Sequence, residues 1–529
     1  MHTGSAGRFV DGYVVDVPYL PGFYAHLAPT SLNAAAAVAG VAPVATHDPF
    51  SYLELGCGFG DTLLTLAAAN PHGRFTGVDI NPVHARAMRG RVERAGLTNV
   101  RVRESGFAGL AADLEPQHFI TLHGVFSWVA EHVRGQILAI ARDLLAPGGL
   151  LLVSYNALPG WAPLLPVRGL VRELAEGATG DSCERVRAAL AIAREMQAAG
   201  APLFAANPQA ATVLDDLGTH DDAYLAHEFL NENWTAFAFT DVAGRFASAG
   251  LEYVGSLPLA NNLPAFWPGP SLLRFIPEGD RVTMEARCDV LMNQSFRWDV
   301  YGKEPRRLAT LAERLAATGR TGVRLAEAGL TLPWTGTVAG REVRVDGPPH
   351  DRLVAVLREG PRSLADLVAA VAADGGPAPA SLVGDIDEAV AMGMLRFDER
   401  PLPPLEVPRA RGFTVPDAFN RDVLARLDAR VKDVTLASRR TGTGHGVRVL
   451  SALVLACLAD DPSADAESDA FIDAVEDRLV RRGPPLAVRS TGEAITDPKE
   501  RRSAVRAICK DFMRIVLPEL VHLGIVVPG

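Results

Sequence analysis

The stretch LELGCGFG, from Leu53 to Gly60, decides the fold of this 529-residue chain. It continues the apolar run that begins at Phe50 and leads into the helical spacing of residues 61–69, which predicts a glycine-rich turn between a buried strand and a helix. Glycines permit positive φ angles and close approach of a ligand, and a helix N-terminus offers unpaired N–H groups. Asp61 stands where a dinucleotide-binding GxGxxG loop needs its third glycine, so the spacing argues against that class of cofactor.

From residue 50 to residue 155 the chain alternates short apolar runs with longer amphipathic stretches. This alternation predicts parallel strands joined by helices, hence an α/β fold with a doubly wound open sheet and a ligand crevice at the carboxyl ends of its strands. The predicted strands are 50–55, 74–78, 100–103, 119–122 and 150–155, and the predicted helices are 61–69, 82–95 and 133–145. Asp79 ends the second strand, where a carboxylate is suited to accept hydrogen bonds from the hydroxyls of a ribose.

The same pattern divides the whole chain into six predicted segments. The spacing of residues 161–239 is purely helical, and strand patterns return at 251–257 and 295–301, so we place a helical insertion inside the sheet domain. The segments are an N-terminal arm (1–48), a Rossmann-like cofactor-binding core (49–160), a helical regulatory insertion (161–239), a completion of the sheet (240–305), a middle segment with a winged-helix-like domain (306–400) and a mainly helical C-terminal domain (401–529).

Charge and cysteine usage exclude several classes of function. The formal net charge is −10, so no global positive field draws the chain to nucleic acid or to an anionic membrane. The would-be recognition helix at 381–392 is itself acidic, which favours protein docking or homodimerisation over DNA binding. The five cysteines form no CxxC pair, and we find neither a secretory signal nor an apolar run long enough to span a bilayer. The sequence therefore predicts a cytoplasmic protein without membrane insertion.

Four further segments carry a resemblance to a known family. They are DVPY at 16–19, HGVFSWV at 123–129, SYNALPGW at 154–161 and YLAHE at 224–228. Together with the spacing of Glu54, Gly56, Gly58 and Gly60, they resemble bacterial class I S-adenosylmethionine-dependent methyltransferases that carry a methyltransferase regulatory domain. That family includes protein-lysine methyltransferases of outer-membrane proteins. The resemblance is good over about residues 13–301, weak through the winged-helix segment, and slight beyond Pro408.

This chain departs from the lysine-methylating members at several positions. Those members tend to have a proline-rich arm with a His-Pro step after the VPY motif, whereas here the arm reads LPGFYAH at 20–26. They also favour tyrosine where Phe126 and Leu158 stand. Methyl transfer therefore carries over from the resemblance more safely than the protein substrate does.

The resemblance implies S-adenosylmethionine as the cofactor and methyl transfer as the reaction. Either Glu104 or Ser105 would contact the adenine amino group, and the backbone carbonyl of His123 would contact the methionine ammonium group. The candidate cofactor-binding residues are Glu54, Gly56, Cys57, Gly58, Gly60, Asp79, Ile80, Glu104, Ser105, Gly106, His123 and Gly124.

The candidate catalytic residues are aromatic, because methyl transfer to an amine needs alignment and exclusion of water more than a strong base. Tyr19, Trp128 and Tyr155 would line the substrate pocket, with their ring faces towards a methylammonium group. We predict no metal site, since the histidines and acids at 220–228 are more typical of a solvated helix.

Three functions remain open from the sequence. The chain methylates a protein side chain, with lysine implied by the resemblance; or it methylates a small molecule or biosynthetic intermediate; or it is a cofactor-binding regulatory scaffold without catalysis. The expected partners are accordingly a protein or small-molecule substrate and no nucleic acid, with homodimerisation through the winged-helix or C-terminal domain as a further prediction.

Overall fold

The computed structural model describes residues 9–263, 270–327, 329–338, 340–373, 376–404, 412–428, 431–486 and 494–528. The N-terminal arm is mostly extended and ends in a helix. Its elements are the hairpin strands β1 (Phe9–Val10) and β2 (Tyr13–Val14), a 3₁₀ turn (Ala25–Leu27) and helix α1 (Pro29–Val38).

Strands and helices then alternate as predicted. The elements are β3 (Ser51–Leu55), α2 (Asp61–Ala69), β4 (Arg74–Asp79), α3 (Pro82–Ala95), β5 (Val100–Glu104), α4 (Leu110–Asp113), β6 (Gln117–Leu122), α5 (Glu131–Leu144) and β7 (Leu145–Asn156). Helix α3 shows why the chain turns where it does. The Asn81 side chain accepts a hydrogen bond from the Val83 N–H, Pro82 occupies the first helical position, and Gly96 ends the helix at φ 62°.

The insertion contributes five helices before the sheet resumes. They are α6 (Leu165–Glu176), α7 (Ser182–Ala198), α8 (Pro202–Ala206), α9 (Pro208–Asp216) and α10 (Asp222–Phe229). The elements that complete the sheet are α11 (Phe239–Ser248), β8 (Leu251–Leu257), α12 (Pro270–Leu273), α13 (Arg281–Met292) and β9 (Phe296–Lys303).

These strands form one seven-stranded sheet in the order β5-β4-β3-β6-β7-β9-β8. Strands β3 to β7 are parallel, while β9 runs antiparallel to both of its neighbours. Apolar clusters cover both faces of the sheet, as parallel strands require. The predicted α/β fold with a helical insertion is confirmed, and the loops after β3, β4, β6 and β7 open at a common edge.

The middle segment contains two small sheets and four helices in its described residues. Its elements are α14 (Leu311–Thr318), β10 (Gly322–Leu325), β11 (Trp334–Val338), β12 (Arg341–Val345), α15 (His350–Arg358), β13 (Arg362–Ser363), α16 (Leu364–Ala372), α17 (Pro379–Ala391) and β14 (Leu395–Asp398). Strands β13, β10 and β14 pair in that order, and β11 pairs with β12. The winged-helix assignment stays a prediction.

The C-terminal segment is mainly helical, as expected, but it includes a hairpin that the sequence pattern did not indicate. Its elements are β15 (Phe413–Thr414), α18 (Ala418–Ala425), β16 (Asp433–Ser438), β17 (Thr443–Arg448), α19 (Val449–Asp460), α20 (Asp469–Arg482), α21 (Pro498–Asp511), a π-helical turn (Phe512–Val516), α22 (Leu517–His522) and β18 (Val527–Pro528). The boundary between residues 400 and 401 stays a prediction, and residues 405–411 lie outside the described part of the chain. Within the described part of the chain, no helix has the length and apolarity needed to cross a bilayer.

The hairpin of β16 and β17 docks on the back of the sheet domain. Its turn accepts a hydrogen bond at the Gly442 carbonyl from the Asn70 amide, at 2.9 Å. Phe419 and Ala437 of the C-terminal segment join the apolar cluster beneath helix α2. The C-terminal segment therefore packs directly against the helix that follows the glycine loop.

Candidate active site

The glycine loop adopts a backbone that only glycine tolerates without strain. Gly56, Gly58 and Gly60 have φ angles of 72°, 55° and 74°. A Cβ atom at Gly56 would lie 2.5 Å from Val125 Cγ2, and one at Gly60 would lie 2.5 Å from Met88 Sδ, whereas one at Gly58 would meet no atom within 4 Å. The loop is thus tight at both ends and open at its middle, where a ligand has room to approach the backbone.

The Asp79 carboxylate organises this loop from the end of β4. Its Oδ2 accepts a hydrogen bond from the Gly58 N–H at 2.7 Å, and its Oδ1 accepts from the Asn81 N–H at 2.9 Å and from His84 Nδ1 at 3.2 Å. A carboxylate oxygen accepts about two hydrogen bonds, so Oδ2 retains one free lone pair. The sequence suggested that both oxygens serve ribose hydroxyls; the structure leaves capacity for one such bond at Oδ2.

Glu54 is a buried acid with an unsatisfied oxygen. Its side chain is 5% exposed, and Oε2 is fully enclosed without a hydrogen-bond partner among the described residues. Burial, and then the neighbouring charges of Asp61 and Asp79, raise the pKa of Glu54 to about 8. The free oxygen Oε2 of Glu54 is available to a ligand, whereas Asp61 is already paired with Arg91 at 2.7 Å. A cation bound beside Glu54 would favour its ionised form, so Glu54 fits the predicted cofactor, which carries positive charge on its sulfonium and ammonium groups.

The two residues predicted to contact adenine, Glu104 and Ser105, differ in their present partners. Glu104 forms an ion pair with Arg89 at 2.8 Å on the surface. The neighbouring Ser105 donates its backbone N–H to the Asp79 carbonyl at 3.1 Å and has an exposed side chain. Ile80 is half-buried and lies beside Gly106. Because Glu104 is already paired, the Ser105 hydroxyl is the better candidate for an adenine contact.

Cys57 lies beneath the loop rather than on its open side. Its side chain belongs to the apolar cluster under the sheet, with Sγ 4.0 Å from Met88 Sδ. Its N–H donates a hydrogen bond to the Val78 carbonyl at 3.2 Å. Burial raises the pKa of its thiol well above the usual range, which argues against a nucleophilic role.

The loops after β6 and β7 bring His123, Gly124 and Ser154 together. Ser154 Oγ hydrogen-bonds to His123 Nδ1 at 2.8 Å and accepts from the Gly124 N–H at 3.1 Å. The ring of Tyr24, from the arm, lies 4.2 Å from that of His123. Burial, followed by the charge of His26, lowers the pKa of His123 to about 4, so this imidazole is neutral at physiological pH.

The N-terminal arm crosses the crevice and carries Tyr19 with it. The Tyr19 N–H donates to His84 Nε2 at 3.3 Å, and the Tyr19 ring packs edge-on against His227 of the insertion, 5.2 Å between ring centres. Tyr19 and Tyr24 also interact through their side chains. Burial raises the pKa of Tyr19, so the phenol stays protonated. We call the set of Tyr19, Tyr24, His123 and Trp298 the aromatic chamber, since Trp298 stacks beside His123.

The insertion holds the arm mainly through the arm's own backbone. His227 Nε2 donates to the Val17 carbonyl at 3.0 Å, the Val14 N–H donates to Asn231 Oδ1 at 2.8 Å, and the Gly12 carbonyl accepts from the Glu232 N–H at 2.8 Å. Together with the contact between Tyr19 and His84, these bonds place the arm between the core and the insertion.

Two of the three predicted catalytic residues stay candidates, and one is wrong. Trp128 is buried in the turn after β6, where its N–H donates to the Val125 carbonyl at 2.9 Å. Tyr155 is 0% exposed, and its hydroxyl donates to Asp299 Oδ2 at 2.5 Å beneath the sheet. Side chains alternate along a strand, so Tyr155 points away from the face that presents Ser154, and it does not line the crevice.

Sequence reasoning missed Tyr24 and His84, and it interpreted Glu228 as part of a solvated helix. Tyr24 meets the site only through the path of the arm, which no local pattern encodes. His84 reaches Asp79 from the first turn of α3, where no sequence pattern marks it. Glu228 is buried and accepts hydrogen bonds from Asn156 Nδ2 at 3.2 Å and from Trp234 Nε1 at 3.3 Å. The sequence signal for a buried acid was the position of this carboxylate among the apolar residues of α10.

Comparison with known proteins connects this geometry to an enzyme class. Residues 53–151 match the model of a methyltransferase domain, and residues 221–303 match the model of a predicted methyltransferase regulatory domain. The uncharacterized protein sll1526 of Synechocystis sp. is 28% identical over 518 residues, which cover 97% of this chain and 99% of that protein. Protein RP789 of Rickettsia prowazekii, also uncharacterized, is 26% identical over 53% of this chain and 51% of its own length.

The fold is also shared with a solved structure along nearly its whole length. The structure of PKMT2 from Rickettsia typhi in complex with AdoHcy superimposes with a TM-score of 0.69 at 19% identity, covering 96% of this chain and 99% of that chain. The likeness of fold therefore extends through the C-terminal segment, whereas the family resemblance found in the sequence is slight beyond Pro408.

Replacing Gly56 with alanine tests the strained turn. We expect the dissociation constant of the predicted cofactor to rise at least about tenfold, because the new Cβ displaces Val125 and with it the loop after β6. The matched control is Gly96→Ala, which has a similar φ angle and no atom within 4 Å of its Cβ position. The control should cost about 1–2 kcal/mol of unfolding free energy and leave the calorimetric affinity unchanged. Equal affinities in the two variants would contradict the packing argument.

Proposed function

Because the chain is a class I S-adenosylmethionine-dependent methyltransferase with a methyltransferase regulatory domain, we propose that it transfers the methyl group to a lysine side chain of a protein. The observation that carries the proposal is the aromatic chamber beside the crevice acids. Tyr24 packs on neutral His123, and Tyr19 lies against the insertion. An amine that enters such surroundings loses hydration, which favours its uncharged and nucleophilic form.

S-adenosylmethionine supplies a methyl group that is already activated by the positive charge of its sulfur. The residues of the chain therefore have to bind, orient and exclude water. In this proposal Glu54 ionises beside the positively charged cofactor through its unpartnered Oε2, Asp79 Oδ2 accepts one ribose hydroxyl, and Ser105 contacts adenine. The backbone of Gly58 approaches the ligand where the loop is open.

The chamber residues orient the incoming nitrogen. Tyr19 of the chamber, together with Trp128 from the turn after β6, would present ring faces to the methylammonium product, an interaction worth about 0.5–2 kcal/mol. His123, neutral and joined to Ser154, adds no positive charge that would repel an ammonium group. The DVPY, HGVFSWV, SYNALPGW and YLAHE motifs resemble the wider family that includes protein-lysine methyltransferases, and this supports lysine as the substrate side chain despite the departures at residues 20–26, Phe126 and Leu158.

Transfer of labelled methyl groups tests this function. The enzyme, S-adenosylmethionine labelled in its methyl group, and a cell lysate are combined, and the proteins are hydrolysed to amino acids. We expect to find the label in methylated lysine. This labelling should vanish when the amines of the lysate are blocked chemically beforehand. Self-labelling should be small and easy to map, since the chain offers only Lys303, Lys432, Lys499 and Lys510.

The other outcomes each contradict the proposal. Label found only in small molecules would identify a small-molecule methyltransferase instead. Tight cofactor binding without transfer into any fraction would identify a regulatory scaffold. Label in protein residues other than lysine would keep the protein substrate and overturn the choice of side chain.

A further inference from the structure

Glu228 is a buried acid at the border between the insertion and the strand ends. It lies on helix α10 and keeps 9% of its surface exposed. Both of its hydrogen-bond donors, Asn156 Nδ2 from the end of β7 and Trp234 Nε1, bind the same oxygen, Oε1. The carboxylate is therefore fixed in orientation by one oxygen only.

The second oxygen of Glu228 is available. Among the described residues none hydrogen-bonds to Oε2, and this atom does not belong to the fully enclosed polar atoms that lack partners. Arg168, the nearby cation, forms no hydrogen bond with Glu228 in the described part of the chain. Its Nη2 donates to the Asn231 carbonyl at 2.5 Å, its Nε has no partner among the described residues, and the guanidinium lies over the Trp234 ring, 5.2 Å from its centre. Oε2 thus retains the ability to accept a proton or a hydrogen bond from a ligand.

Titratable side chains from the arm, from helix α6 and from helix α10 itself lie close to Glu228. Tyr19 of the arm and Tyr224 of α10 are close enough for its charge to raise their pKa values, and Arg168 of α6 is close enough to lower that of Glu228. Burial outweighs Arg168 and raises the pKa of Glu228. A carboxylate with a raised pKa is a stronger base than an exposed one.

We propose that Glu228 is a catalytic residue that binds the substrate ammonium group through Oε2 and accepts its proton before methyl transfer. This inference rests on the proposed function, because it assumes an amine substrate. Asn156 and Trp234 then act as positioning residues, since they hold Oε1 and leave Oε2 to the substrate.

The proton and electron balance is complete without a further reactant. The amine enters as R–NH₃⁺ and gives one proton to Glu228, which leaves R–NH₂ and a neutral carboxyl group. The nitrogen lone pair forms the new N–C bond as the C–S bond of the methyl donor breaks, and the sulfur keeps the bonding pair. The product leaves as R–NH₂⁺–CH₃, and Glu228 returns its proton to solvent.

The variant Glu228→Gln tests this role with little change of shape. Its amide oxygen can accept both existing hydrogen bonds, while the proton acceptor is lost. At pH 7 we expect kcat/KM for lysine methylation to fall at least about 100-fold, with an unchanged dissociation constant for S-adenosylmethionine. The deficit should shrink as the pH rises towards 10. The lysine ammonium group has a pKa of about 10.4, so at high pH much of the substrate is already uncharged amine and needs no proton acceptor. A merely structural role would give a deficit that is constant with pH.

A matched control and a binding measurement keep the inference separate from the proposed function. Glu173→Gln removes an exposed acid of helix α6 in the same insertion and should change neither quantity. The binding of n-butylammonium, measured with S-adenosylhomocysteine bound, should weaken at least about tenfold in Glu228→Gln.

The outcomes separate the two proposals. Lysine methylation by the wild type with an equally active Glu228→Gln at every pH would overturn the inference alone. Absence of lysine methylation with Glu228-dependent butylammonium binding would overturn the proposed function and keep Glu228 as the amine-binding acid. Absence of both would overturn both.

Discussion

Replacing Asp79 with alanine is expected to raise the dissociation constant of S-adenosylmethionine at least about 100-fold, equivalent to ~2.7 kcal/mol of binding free energy. Two losses combine in this variant. The ligand loses the free acceptor position at Oδ2, and the loop loses the hydrogen bonds that Asp79 accepts from Gly58, Asn81 and His84. Since His84 also accepts the Tyr19 N–H, the arm loses an indirect support as well.

Titration calorimetry measures this effect, with circular dichroism as a check of the fold. The surface control is Asp113→Ala, which removes an exposed acid that, among the described residues, pairs with Arg103 alone, at 3.1 Å. Its affinity should equal that of the wild type. If Asp79→Ala binds the cofactor normally, the assignment of the crevice is overturned.

The second large effect concerns stability rather than binding. Arg297 is 3% exposed and lies among three buried acids, Glu285, Asp289 and Asp299. Its Nε donates to both oxygens of Asp299 at 3.0 Å, and the guanidinium lies over Phe239, 4.2 Å from the ring centre. Arg297→Ala leaves these carboxylates without their shared cation, so we expect a loss of about 3–5 kcal/mol in the free energy of unfolding.

Urea unfolding followed by fluorescence measures this loss. The control is Arg307→Ala, which breaks an exposed pair with Glu252 and should cost about 0–1 kcal/mol. Arg297→Lys serves as the second variant if the alanine variant does not fold, because it keeps the charge and loses the forked geometry. A stability equal to that of the wild type in Arg297→Lys and Arg297→Ala would mean that the acids are neutral in the folded protein.

The sheet was predictable because its strands are short, apolar and separated by amphipathic helices. The glycine loop and Asp79 were recognisable because the cofactor needs bare backbone and a carboxylate at neighbouring strand ends. Tyr155 was assigned to the wrong face for a related reason. In β7 both faces are buried, so no alternation of polar and apolar residues marks which of Ser154 and Tyr155 faces the crevice.

The remaining parts depend on contacts between distant segments. His84 joins Asp79 to Tyr19 across 65 residues of chain, and Asn156 meets Glu228 across 72. The hairpin of β16 and β17 escaped prediction because the second strand, TGHGVR, contains two glycines and little apolar surface. Its pairing becomes favourable only against helix α2 and the surrounding C-terminal core.

The grip on the N-terminal arm has a consequence for the evolution of specificity. The core and the insertion hold the arm largely by main-chain atoms, at Gly12, Val14, Val17 and Tyr19. Main-chain bonds survive most substitutions, so the arm can exchange its side chains while its path over the crevice is preserved. Mutation along this segment therefore offers a route by which related enzymes diverge in substrate while the arm keeps the same path over the crevice.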